Sequence, residues 1–189
     1  TWSFTDVDLE LERSDSRLAA EIKATPPELL GGPIEVAANV EFPQPGDILL
    51  DLPWTAYLNL GDADLAGWSR LLADFDQTPD EGRGDISLWL GFDRRQPVQG
   101  TVQASITGLV LPGQRLSLDN GDPYEEFRIV AEWQRSDGIW RVSASELTIQ
   151  RQDRWWPRST LELILGTADS TISRFELNGD FLRLEDLAP

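Results

Sequence analysis

The chain has no cysteine and no histidine among its 189 residues. The first absence excludes disulfides and thiolate metal sites, and the second removes the commonest metal ligand and general base. Positive charge is scarce too: 16 Lys and Arg stand against 33 Asp and Glu, for a formal net charge of −17. Such a chain repels phosphate backbones and anionic lipid surfaces, which argues against nucleic acid as a partner. No apolar run approaches the ~20 residues of a bilayer-crossing helix, so no direct membrane span is expected in these residues. Much ordinary active-site chemistry is thereby out of reach. Absence of cysteine suits an oxidising compartment such as a periplasm.

What the chain does have is alternation with period two, the signature of strands with one apolar and one polar face. "RLAAEIK" sets Leu18, Ala20 and Ile22 against Arg17, Glu21 and Lys23, and "IEVAANVEF" keeps Ile34, Val36, Ala38, Val40 and Phe42 in phase. "ILLDLPWTAYLNL" carries Ile48, Leu50, Leu52, Trp54, Ala56, Leu58 and Leu60, a run longer than a typical strand of ~5–6 residues. Further strands are expected through Ile86, Leu88, Leu90 and Phe92; Val102, Ala104 and Ile106; Phe127, Ile129, Ala131 and Trp133; and Leu161, Leu163 and Leu165. Turn residues separate them in "RSDS", "PELLGGP", "FDRRQP", "QRSDG" and "GTADS". Pro53 cannot donate to a ladder and is expected at an edge or bulge. One helix is expected near residues 63 to 75, in "DADLAGWSRLLADF", capped by Asp62 or Asp64 and striped by Leu65, Trp68, Leu71, Leu72 and Phe75. The fold class is mainly β: a long curved antiparallel sheet with one principal amphipathic helix.

"WSFTDVDLEL" and "WRVSASELTI" share an irregularity. Trp2, Phe4, Leu9 and Leu11 align with Trp140, Val142, Leu147 and Ile149, and both copies slip from even to odd phase between the two pairs. A slip of this kind is what a bulge produces. The closing "NGDFLRLEDLAP" repeats the strand-to-helix transition of "YLNLGDADLAGW". Residues 1–139 thus read as a first sheet-plus-helix unit, and residues 140–189 as the start of a second, truncated one whose continuation would be another helix.

The ordered set "TDVDLEL…LAAEIKATPPELLGGPIEVAANVEF", "DADLAGW", "GRGDISLWLGFD…VQASITGLVL", "WWPRSTLEL" and "GDFLRLEDLAP" resembles the YhdP proteins of Gram-negative bacteria, large relatives of AsmA and TamB. The resemblance implies an internal fragment of a parent chain anchored in the inner membrane. That chain crosses the periplasm as a taco-shaped repeating β-groove and carries phospholipid towards the outer membrane. It also implies two partners, phospholipid acyl chains and neighbouring repeats of the same parent chain, with no catalytic residues.

The groove candidates are Leu18, Ala20, Ile22, Ile34, Val36, Ala38, Val40, Ile86, Leu88, Leu90, Val102, Ala104, Ile106, Phe127, Ile129, Ala131, Leu161, Leu163 and Leu165. Each inward residue covers ~30 Å² of sheet, so some 25 such positions make a face of about 750 Å². Soluble monomers seldom expose more than ~300–600 Å² in one patch, so the sheet either packs on itself or holds something apolar. Packing on itself is the alternative: a β-sandwich serving as a carbohydrate-binding or adhesion module. The acids of "DVDLELE" (Asp6, Asp8, Glu10, Glu12) and of "DNGDPYEEF" (Asp119, Asp122, Glu125, Glu126) match no calcium-loop spacing and read as a solvated strand face and a turn. Chance pairs among so many acids make a glycosidase reading weak. Of Trp155 and Trp156, one is expected in the core and its neighbour over arginine stems. No catalytic residue, metal site or cofactor is assigned.

Overall fold

The computed structural model describes residues 2–41, 51–72, 78–111, 122–152, 154–168 and 171–181. The expectations for Phe42, Ile48, Leu50, Phe75, Asp119 and the closing "LRLEDLAP" lie outside these residues. The strands are β1 (Thr5–Arg13), β2 (Arg17–Thr25), β3 (Ile34–Glu41), β4 (Trp54–Asp64), β5 (Glu81–Asp93), β6 (Gln96–Val110), β7 (Tyr124–Ser136), β8 (Ile139–Arg151), β9 (Arg154–Trp155), β10 (Ser159–Ala168) and β11 (Thr171–Gly179). A 3-10 turn, Glu28–Leu30, joins β2 to β3, and the helix α1, Leu65–Leu71, joins β4 to β5.

All eleven strands form one antiparallel sheet in sequence order, with the short β9 pairing β8 beside the main path. A sandwich needs two facing sheets, so the topology overturns that reading. The meander follows from the turns. Arg94 and Arg95 (φ 46° and 68°) and Asp137 and Gly138 (φ 50° and 75°) form two-residue hairpin loops, with both central residues left-handed as the sheet twist requires.

The phase slips are bulges. The β1 register shifts between Thr5 and Asp8, around Asp6 at φ 49°, and the β8 register shifts between Ala144 and Leu147. Two more lie in β4, between Leu60 and Ala63 with Asp62 at φ 49°, and in β6, at Gly108 with φ 63° opposite the step from Glu81 to Arg83. An extra residue returns the following apolar side chains to the face they would otherwise leave. Asp62 is held in its unusual conformation on two sides. Its N–H donates to Asp85 Oδ1 at 2.9 Å, and its carboxylate accepts two bonds from Arg83 at 2.6 and 2.7 Å. The Arg83 hydrogen bond lowers the Asp62 pKa below its usual value.

Beyond the bulges the sheet meets its caps, and the closed core sits there. Leu60, Ala63, Leu65, Ile106, Leu109, Tyr124, Leu147, Ile149 and Trp156 form one buried cluster, with Trp68 packed against it. Leu30, from the 3-10 turn, is fully buried, worth ~1.5–3 kcal/mol. Its carbonyl accepts from Trp68 Nε1 at 2.9 Å, tying the turn to α1.

Asp64 caps the helix, accepting from the Gly67 N–H at 3.1 Å. The helix is shorter than expected at its start because β4 runs through the Asp62 bulge to Asp64. Its apolar stripe is also narrower: Leu65 is buried, but Leu71 and Leu72 are exposed. Pro53 immediately precedes β4, and with Leu52 buried in the turn before it, the long apolar run is no single strand.

Gly67 is the tightest point of the cap, since a Cβ built there would lie 1.9 Å from the Leu29 carbonyl oxygen. Gly67→Ala is therefore expected to cost ~1–3 kcal/mol through forced backbone movement, although alanine is the better helix former. Urea unfolding measures it; an unchanged or raised midpoint would contradict this packing.

Candidate functional site

Residues directly opposed across a ladder share a face. The register therefore strings side chains into rows across the sheet. One row runs Leu11, Ala20, Ala38, Ala56, Leu90, Gly100, Trp133, Val142, Leu163 and Leu177. Its neighbour runs Leu9, Ile22, Val36, Leu58, Leu88, Val102, Ala131, Ala144, Leu161 and Gly179. Each crosses ten strands, roughly 40 Å at ~4.8 Å per step, without one charged or hydrogen-bonding side chain apart from the Trp133 indole. Gly100 leaves no gap, because a Cβ there would fall 2.2 Å from the Trp133 ring that lies over it.

Three shorter rows extend this face. Ala24, Ile34, Leu60, Ile86, Ala104 and Ile129 make the third, and Ile106, Phe127 and Ile149 lead into the closed core. At the other end lie Leu18, Val40, Trp54 and Phe92, where the Trp54 and Phe92 rings stack at 3.8 Å and 1°. Leu165, opposite Trp140, completes the apolar set. The opposite face carries Glu10, Glu21, Ala37, Tyr57, Trp89, Thr101, Glu132, Ser143, Glu162 and Asn178 in the row nearest the middle.

All the groove candidates of the sequence lie on the one apolar face, but not equally exposed. Ile106 and Ala131 are buried, and Ile34, Ile86, Ala104, Phe127, Ile129 and Leu161 pack against the core. Leu18, Ala20, Val36, Ala38, Val40, Leu88, Leu90, Val102, Leu163 and Leu165 are half-buried, and Ile22 is exposed. Exposure rises towards the sheet edges, to 66% at Leu11 and 63% at Phe175. Among the described residues the face is thus sealed at the α1 end, and elsewhere its larger side chains are half-buried or exposed. Trp54, Ala56, Leu58 and Leu60 of β4 belong to it as fully as the candidates do, as do Trp133 and Val142. Their alternation was present in the sequence.

The acids sit where solvent reaches them. Asp8, Glu10 and Glu12 line the polar face of β1, and Glu125 accepts from Gln150 Nε2 at 2.7 Å. Among the described residues no group of His, Cys, Asp or Glu could hold a metal ion. The tryptophan pair divides: Trp156 is buried with its ring edge-on to Phe181 at 5.5 Å, while Trp155 is 54% exposed. The face carries no titratable side chain in its two long rows; Arg13, opposite Leu18, and Arg135, opposite Trp140, stand at its end away from α1. What the rows can do is remove apolar surface from water.

No curated protein and no solved structure matches the chain significantly. The family model described as YhdP protein matches residues 4–189.

The gradient of exposure has a mutational consequence. Ile106, 6% exposed in the closed core, cannot accept a carboxylate, and Ile106→Asp is expected to abolish cooperative folding or cost several kcal/mol. At half-buried Leu88 the carboxylate can reach water, so Leu88→Asp should keep a cooperative transition. Thermal unfolding followed by circular dichroism compares them; equal loss of folding would mean that the middle of the face is as closed as its end.

Proposed function

The chain belongs to the YhdP family, and on that premise we propose that it is a segment of a periplasmic hydrophobic groove that shelters phospholipid and conducts it between the inner and outer membranes of a Gram-negative bacterium. The observation that carries this reading is the pair of apolar rows crossing ten strands, in which Ala131 and Ala144 are buried while the larger side chains away from α1 stay half-buried or exposed. Among the described residues, a single sheet with one short helix leaves such a face uncovered.

Acyl chains suit it chemically. They need no polar partner, each CH₂ withdrawn from water contributes ~0.8 kcal/mol, and rows without side-chain hydrogen bonds let a chain slide without breaking specific contacts. The net charge of −17 and the polar opposite face keep the device in water while discouraging adsorption of its outside to anionic bilayers. No helix among the described residues is long and apolar enough to cross a membrane, so the anchor is assigned to the parent chain.

The groove continues, in this reading, through neighbouring repeats. Among the described residues β1 and β11 each pair on one side only, and both carry exposed apolar side chains, Leu9 and Leu11 on one and Phe175 and Leu177 on the other. Residues 1–139 form one unit and residues 140–189 begin the next, with β8 hydrogen-bonded directly to β7 across that boundary so that the rows run on. No catalytic role is proposed.

Photo-crosslinking residues placed at Leu88, Val102 and Leu163 of the parent chain in cells should yield phospholipid adducts, and residues at Ser87 and Gln103 on the opposite face should not. Leu88→Asp should fold yet slow delivery of phospholipid to the outer membrane. Adducts absent from all three apolar positions, or equally frequent on both faces, would overturn the reading.

A further inference from the structure

We propose that the polar face holds a second binding site, for an uncharged oligosaccharide, built on the rings of Tyr57 and Trp89. These two side chains stand on the face that alternation reserves for polar residues. They are directly opposed across β4 and β5, with centroids 5.1 Å apart and planes tilted by 39°. Trp89 is 40% exposed, a large apolar surface left partly in water. Their row neighbours on either side are small, Ala37 and Thr101.

The rings line a concavity of about 700 Å³, within the ~300–1,000 Å³ common for small-ligand sites. Its other walls carry the amides of Asn39, Gln99 and Gln134 and three charges, Glu132, Glu162 and Arg141. Arg17 donates to Asn39 Oδ1 at 3.0 Å, which leaves the two amide N–H donors of Asn39 unspent. Among the described residues, Gln99, Gln134, Glu132 and Arg141 have no side-chain hydrogen bond or ion pair. The site therefore offers flat apolar rings beside donors and acceptors in nearly equal supply.

That combination fits a pyranose, whose C–H face lies on an aromatic ring while its rim of hydroxyls both donates and accepts. Charge narrows the choice. Glu132, Glu162 and the protein's strong net negative charge oppose an anionic chain, and Arg141 in the same wall offsets part of their attraction for a cation. The width of the concavity, from Asn39 on β3 to Glu162 on β10, suits several linked sugars lying across the strands. This site lies on the face opposite the apolar rows, so it stands or falls independently of lipid conduction.

The test titrates the full chain with chitohexaose, cellohexaose and maltohexaose, with a hyaluronan hexasaccharide as the charged control, following tryptophan fluorescence and ligand-observed saturation-transfer NMR. At least one neutral hexasaccharide should bind saturably. Trp89→Ala should weaken it about tenfold or more, as loss of a central aromatic contact does. Gln99→Ala, a surface change that leaves the fold intact, should weaken it by a smaller factor. Trp155→Ala, which removes an exposed ring elsewhere, should change nothing. No binding of any neutral hexasaccharide at millimolar concentration, binding unchanged in both Trp89→Ala and Gln99→Ala, or equal binding of the hyaluronan chain would overturn the proposal.

Discussion

Hydrogen-bond register is the constraint on which this structure rests. In an antiparallel sheet each residue's face is decided by its partner across the ladder, and a slip of one position would turn a strand's apolar side chains into water. Ten strands agree on one phase here, so Leu11 at one edge and Leu177 at the other lie on the same face although most of the chain separates them. The bulges keep that agreement where the strands need to bend. At Asp62 the extra residue turns Ala63 back to the apolar face, and the Arg83 fork holds the aspartate in a backbone conformation that few residues accept.

From that constraint the division between closed and open surface follows. Beyond the bulges, α1, the 3-10 turn and Trp156 lie against the sheet and complete a core around Leu109, Tyr124 and Ile149. Away from them the same face has no second layer among the described residues. One seven-residue helix is far too small to cover rows that cross ten strands. The stability of the sheet must therefore come from its sealed end and its continuous ladder, leaving the middle of the face, in the proposed reading, free to exchange occupants. A fully closed core could not do this, since a packed interior has no room to admit a guest.

Much of this was legible in the amino-acid pattern. Period-two alternation assigned Ile22, Val36, Leu88, Val102 and Leu161 to one face, and the phase slip shared by the segments at Trp2 and Trp140 marked bulges in β1 and β8. Periodicity could not say whether two apolar faces would close on each other, because sandwich and open sheet use the same alternation; the topology decides it. The helix was read too long at its start because Ala63 and Asp64, which suit a helix, extend β4 beyond its bulge. Tyr57 and Trp89 were hidden for a related reason: beside Ala56, Leu58, Leu88 and Leu90 they look like part of one greasy run, and only the register shows them turned outward.

The central claim is that the two faces meet different molecules, with acyl chains confined to one. Fluorine NMR of the 5-fluorotryptophan-labelled protein tests it directly, using phosphatidylcholine that carries a doxyl spin label on its acyl chain. Trp54 and Trp133 lie on the apolar face, Trp89 on the polar face, and Trp155 is exposed beside the sealed end. The account predicts that the spin-labelled lipid broadens the Trp54 and Trp133 resonances most strongly, and those of Trp89, across the thickness of the sheet, and Trp155 less. Broadening of Trp89 to the same degree, or none at Trp54 and Trp133 while the lipid demonstrably binds, would contradict it.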